Sequence, residues 1–133
     1  MLRESDAISS YSVNNVGEAM SFYRDILGLD VKETVRGMEL TLHSAVGTTD
    51  IFIYPKSDHE PASFTVLNFR VKDIKAVVEG LIDKGVHFEQ YDTQYIKTDD
   101  DGISWNDDLE FGPRGIAWFT DPADNLLSVV QEK

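Results

Sequence analysis

Hydrophobic positions along the chain follow two helical stripes and several alternating runs. Val16, Ala19, Met20, Tyr23, Ile26 and Leu27 recur at steps of three and four, the spacing of one helix face. Asn15 and Glu18 precede this stripe with the spacing of a capping box, and Gly28 supplies a stop. Ile74, Val77, Val78, Leu81 and Ile82 form the second stripe, with Asp73 as N-cap and Gly85 at its end.

Each stripe follows a β-rich run, Ala7 to Val13 in one case and Phe64 to Val71 in the other. Superposing Val13-Asn14-Asn15-Val16 on Val71-Lys72-Asp73-Ile74 brings the two halves into register. Further strand candidates are Leu29 to Val35, Met38 to His43 and Ile51 to Tyr54 in the first half. In the second they are Val86 to Tyr91, Gly115 to Thr120 and Leu126 to Val130. The pattern predicts an α+β chain of two βαβββ modules, about residues 5–57 and 62–132, within a single domain spanning 1–133. Their strands form a curved mixed sheet around a cup, with the helices on the outer face.

Strand alternation assigns side chains to faces. One parity gives Tyr11, Val13, Ile51, Ile53, Leu67, Phe69, Val71, Leu127 and Val129, an apolar set expected to pack beneath the helices. The other gives Ile8, Ser10, Ser12, Phe52, Tyr54, Phe64, Val66, Asn68, Arg70, Leu126, Ser128 and Val130. Apolar walls with a few placed polar groups suit a small-molecule pocket, because the walls provide burial and the polar groups fix orientation. Ser10, Phe52, Tyr54, Asn68, Arg70 and Ser128 are therefore the candidate ligand contacts on this face.

The longest irregular stretch is Asp92 to Pro113, rich in acids and carrying Tyr95, Trp105 and Phe111. Loops of this length are commonly functional. Its Asp99-Asp100-Asp101-Gly102 core resembles a calcium loop, but that alignment places Lys97 where a carboxylate is required. A solvated lid or hairpin loop is the stronger reading. Trp105 and Trp118 join the candidate contacts as stacking surfaces.

Composition narrows the function classes. With 133 residues, 41% hydrophobic and 11% aromatic, the chain suffices for one domain with a core of its own. The absence of cysteine excludes thiolate nucleophiles, disulfides and zinc-thiolate sites. A formal charge of -12, from 24 acids and 12 bases, opposes binding to nucleic acid and to anionic membranes and favours cationic ligands. No basic segment followed by an apolar run stands at Met1 and no apolar stretch is long enough to span a bilayer, so a cytoplasmic location is expected.

Val13 through Phe22-Tyr23, Leu27-Gly28-Leu29, the Val71 to Gly85 unit and Phe119-Thr120-Asp121-Pro122-Ala123-Asp124-Asn125 together resemble the vicinal oxygen chelate superfamily. That superfamily includes glyoxalase I, extradiol dioxygenases and bleomycin-resistance proteins. The resemblance covers nearly the whole chain and implies the cup-forming fold and a homodimer. In metal-dependent relatives, His, Gln or Glu side chains from the first and last strands of each module converge on one divalent ion. Here those positions are Ile8, Phe52, Val66 and Ser128, of which only Ser128 has a donor atom, so the usual metal site is expected to be absent, with no cofactor.

The leading expectation is a metal-free binding protein for a small, partly aromatic or cationic molecule, with catalysis left open. A divalent-metal enzyme of the glyoxalase or dioxygenase kind, drawing on His43 and Glu39, is the alternative. His43 and Tyr54 are the candidates for acid-base chemistry. His59 and His87 have no assigned role, and no Gly-x-Ser-x-Gly elbow supports a serine hydrolase.

Overall fold

A computed structural model of the chain describes residues 1–106 and 112–133. It divides into two compact units, Met1–Glu60 and Pro61–Lys133. The first contains β1 (Ser9–Val13), α1 (Val16–Ser21), β2 (Asp30–Thr34), β3 (Gly37–Ser44) and β4 (Gly47–Pro55). The second contains β5 (Thr65–Arg70), α2 (Ile74–Asp83), β6 (Ile103–Trp105), β7 (Gly115–Thr120) and β8 (Leu126–Gln131). Each unit is thus a βαβββ module with one four-stranded mixed sheet, ordered β1-β4-β3-β2 in the first and β5-β8-β7-β6 in the second. The parallel pairs are β1 with β4 and β5 with β8, as expected where a helix crosses over between a module's first strand and its later ones.

Both helices start where their caps dictate. The Asn15 side chain accepts from the Glu18 N–H at 3.0 Å, and the Asp73 side chain from the Ala76 N–H at 3.1 Å, which satisfies donors that a helix's first turn leaves unpaired. The first stripe does not stay α-helical throughout: after Ser21 the backbone widens into a π turn, Phe22–Ile26, with the Leu27 N–H bonded to the Phe22 carbonyl. Adjacent Phe22 and Tyr23 are both buried, and the Tyr11 hydroxyl donates to that of Tyr23 at 2.8 Å.

The apolar strand faces lie where alternation put them. In module one Tyr11, Val13, Met38, Leu40, Ile51 and Ile53 are buried with Ala19, Phe22 and Tyr23 from the helical segment. In module two Ala117, Phe119, Leu127 and Val129 are buried, as are Ile74 and Val78 of α2. Burial of this kind contributes about 1.5–3 kcal/mol for each large apolar side chain. Leu67, Phe69 and Val71 are only half-buried, since β5 is the edge strand of its sheet.

The segment Val86 to Tyr91 departs from its expected strand. Val86 and Phe88 are buried as alternation requires, yet among the described residues its pairing with β7 consists of a bridge between Phe88 and Phe119 and a bond from the Glu89 N–H to the Trp118 carbonyl. The rest of the β7 edge is taken by β6, with Ile103 opposite Ala117 and Trp105 opposite Gly115. Two distant pieces of chain therefore share one edge, and β6 emerges from the stretch expected to be irregular. Residues 107–111 of that stretch, with the acids at 107, 108 and 110 and the aromatic at 111, lie outside the described residues.

Asp99 builds the turn that launches β6. Its Oδ1 accepts the N–H groups of Asp101 (3.0 Å) and Ile103 (2.9 Å), and its Oδ2 accepts the Trp105 indole N–H at 3.0 Å. Gly102 sits at φ +93°, and a Cβ there would come within 2.7 Å of the Phe88 Cβ, so this position needs glycine. The Asp-rich core is thus an aspartate-capped turn.

Candidate functional site

Cross-strand register shows which polar-face candidates meet. In module one Ser10, Phe52, Glu39 and Lys32 form one row across β1, β4, β3 and β2. Ser12 and Tyr54 form the next, and Thr41 stands between Asp50 and Asp30. The Phe52 and Tyr54 rings stack with centroids 5.9 Å apart and planes 21° from parallel. Beside them, Thr41 Oγ1 donates to Asp50 at 3.0 Å, and His43 Nε2 contacts Asp30 Oδ2 at 3.1 Å. This open face therefore combines a half-buried aromatic platform with carboxylates, an arrangement that attracts positive charge and planar rings.

His43 and Glu39 do not converge. They lie four residues apart on the same face of β3, which places their Cα atoms about 13 Å apart at the rise of a strand, and His43 is mostly exposed at 63% of its side chain. His43 Nε2 is directed to Asp30 rather than to Glu39.

A contact that sequence reasoning did not anticipate joins Ser12 Oγ to His59 Nδ1 at 2.6 Å. The turn after β4 makes it: the Lys56 N–H bonds the Val13 carbonyl and the His59 N–H the Lys56 carbonyl, folding His59 back toward β1. Lys56 and Asp58 pair at 2.7 Å in the same turn. Their hydrogen bond raises the Lys56 pKa and lowers that of Asp58. Only the short Tyr54-Pro55-Lys56 turn signal bore on this contact.

In module two Asn68, Ser128 and Trp118 form a row across β5, β8 and β7, with Arg70 and Val130 in the next. The fully buried Ser128 hydroxyl donates to Asn68 Oδ1. Trp118 meets Tyr91 edge-on at 5.5 Å, and burial, with Glu89 nearby, pushes the Tyr91 phenol above its ordinary pKa. Arg70 Nε donates to Glu132 at 3.1 Å. A shallow cavity of about 490 Å³ is lined by Val66, Leu67, Asn68, Arg70, Val130 and Glu132.

Trp105 is not part of this face. It shares the parity of Ile103 and lies on the helix-covered side, where a Cβ on Gly115 would come within 3.2 Å of its ring and 3.4 Å of Ile74. The Asp99 bond and an Arg114 guanidinium 5.9 Å from the ring centroid hold the indole. Glycine at 115 is what allows the large ring to cover β7. The polar neighbourhood of Trp105 thus anchors the ring, which stays 41% exposed.

The four positions to which the resemblance assigns metal ligands do not fit a divalent ion. Ile8, 59% exposed before β1, Phe52 and Val66 have hydrocarbon side chains, and the Ser128 hydroxyl is bonded to Asn68. Among the described residues no three His, Asp or Glu side chains are grouped to hold a metal. Such a site needs several imidazole or carboxylate donors.

Paired βαβββ modules with their helices on the apolar side of each sheet define a fold class shared by many small binding proteins and enzymes. The sequence matches the Glyoxalase/Bleomycin resistance protein/Dioxygenase superfamily over residues 7–129, and the chain belongs to that superfamily. No curated protein matches it. Among solved structures, the antibiotic binding protein TnmS3 from Streptomyces sp. CB03234 is similar at 21% identity over 98% of both chains, with a TM-score of 0.62. A glyoxalase family protein from Enterococcus faecalis is 22% identical over 98% of this chain and 99% of that one, with a TM-score of 0.57. The fosfomycin resistance protein FosX from Listeria monocytogenes is 11% identical over 98% and 94%, with a TM-score of 0.62. At these identities the likeness is one of fold. Among the described residues no helix is long and apolar enough to cross a membrane.

Proposed function

We propose that the protein is a metal-free small-molecule-binding protein of the glyoxalase/bleomycin-resistance type. The observation that carries this reading is the absence of a donor set at Ile8, Phe52, Val66 and Ser128, in a chain whose strands otherwise follow the family's plan. The antibiotic binding and fosfomycin resistance proteins among its structural relatives support a ligand-holding role. The stacked Phe52 and Tyr54 beside Glu39, Asp30 and Asp50 favour a planar or cationic ligand on module one. We propose that 1–133 acts as one functional domain, as a cytoplasmic homodimer, for which sedimentation and fractionation are the direct checks.

Elemental analysis of protein purified without a metal-affinity step, before and after dialysis against zinc, nickel, manganese and iron, tests the central claim. Retention well below one ion per chain is expected. Retention near one ion per chain, with activity lost to a chelator, overturns it. A fluorescence titration with aromatic amines then tests the platform: Phe52→Ala and Tyr54→Ala should each weaken binding by about two- to tenfold, the range of one lost stacking contact.

A further inference from the structure

We infer that the open face of module two recognises an oxyanion, the carboxylate, phosphonate or sulfonate end of a small ligand, through Asn68 and Arg70. This rests on the reading of the polar sheet faces as ligand-binding, and it names the chemistry that one of them selects.

Hydrogen-bond polarity makes the argument. An asparagine side chain offers one acceptor and two donors. Ser128 donates to its Oδ1, which orients the carboxamide and leaves the NH2 group as its outward function. Arginine has donors only; the bond to Glu132 uses the Nε–H, so the two Nη groups remain. Asn68 and Arg70 lie two residues apart on β5, on the same face and about 7 Å apart at the backbone, within reach of a common oxyanion for a side chain as long as arginine. Both are exposed, and both line the 490 Å³ cavity, which is of small-molecule size.

The cavity walls suit the rest of such a ligand. Val66 and Val130 present hydrocarbon, and the register shift between Thr65 and Leu67 falls at Val66, where a bulge turns the strand and re-aims its side chains. Glu132 is the one acid among the lining residues. It holds the guanidinium in place and competes with an incoming anion for it, so an oxyanion binds by displacing or sharing that contact. In a chain of net charge -12, diffuse electrostatics oppose anions, and binding must come from local donors of this kind.

The test is an NMR and calorimetric titration of the full chain with benzoate and phenylphosphonate, against neutral benzamide and cationic benzylamine. Both anions should move the Asn68 Nδ2 and Arg70 Nε resonances, and benzamide and benzylamine should not. Arg70→Ala should weaken anion binding about tenfold or more, the effect of a lost charge-assisted bond. Arg70→Lys should recover part of it, and Glu132→Gln should tighten it. These positions are exposed, so the melting temperature should not change. Benzylamine moving the Asn68 and Arg70 resonances as far as the anions do, or anion affinity unaltered in Arg70→Ala, overturns the inference. So does a change in sedimentation of Arg70→Ala without a change in anion affinity, which would make this face a contact between copies of the chain. If the protein retains metal while Arg70→Ala still loses the anion, the metal-free reading falls and the oxyanion site stands. If no metal is retained and the anions are ignored, the reverse holds.

Discussion

Replacing Asp99 with alanine separates a structural turn from a cation-binding loop. Its carboxylate accepts three hydrogen bonds, from Asp101 N–H, Ile103 N–H and the Trp105 indole. Ile103 is 1% exposed, and leaving its N–H unpaired costs about 1–3 kcal/mol. Water replaces the carboxylate at the two exposed donors, so each adds only about 0.5 kcal/mol. The total is about 2–4 kcal/mol. For a chain of 133 residues the unfolding entropy is about 0.28 kcal/mol per degree, so the melting temperature should fall by about 7–14 °C. Asp100→Ala and Asp101→Ala should stay within about 0.5 kcal/mol of the parent protein. Circular dichroism melts and urea titrations, each with and without millimolar calcium, provide the assay. The reasoning is refuted if Asp99→Ala melts with the parent, if all three substitutions act alike, or if calcium raises the melting temperature and any of the three removes that rise.

Asp121 should be more sensitive still: it is 3% exposed and its carboxylate binds the Ala123 and Asn125 N–H groups and the Asn125 amide, so Asp121→Ala should cost at least about 3 kcal/mol in urea unfolding. In the same turn Asp124 has φ 63°; Asp124→Val should cost about 1–2 kcal/mol while Asp124→Gly costs little, and equal melting of the two would contradict the left-handed assignment. The Lys56 and Asp58 shifts define a pH window. The lowered pKa of Asp58 gives stability that is present above its ordinary 3.8 and lost on acidification. The raised pKa of Lys56 gives stability that is present below its ordinary 10.5 and lost at higher pH. Asp58→Asn should therefore unfold more easily than the parent at neutral pH and match it in strong acid, as stability-against-pH curves would show.

The periodicities carried the module plan. Helix stripes, caps at Asn15 and Asp73, and the two-residue alternation of Tyr11-Val13, Ile51-Ile53 and Leu127-Val129 depend on neighbours a few residues away, so they can be read before any tertiary contact is known. Asp121 to Asn125 entered the sequence reading only through the family resemblance, and the bonds from its aspartate to the Ala123 and Asn125 N–H groups came with the structure.

Alternation itself says nothing about which strand pairs with which. Val86 to Tyr91 has the pattern of a strand and Ile103–Trp105 barely does, yet β7 pairs chiefly with the latter, because that choice depends on the turn built by Asp99 and on the space left at Gly102 and Gly115. Those contacts put Trp105 on the helix side, while the turn after β4 brought His59 to Ser12 and the β5–β8 register set Ser128 against Asn68. The sequence by itself determined which residues face a core and which positions lack metal donors. The tertiary structure decided which polar groups meet, because hydrogen bonds between strands distant in sequence depend on register, and register is fixed only when the sheets assemble.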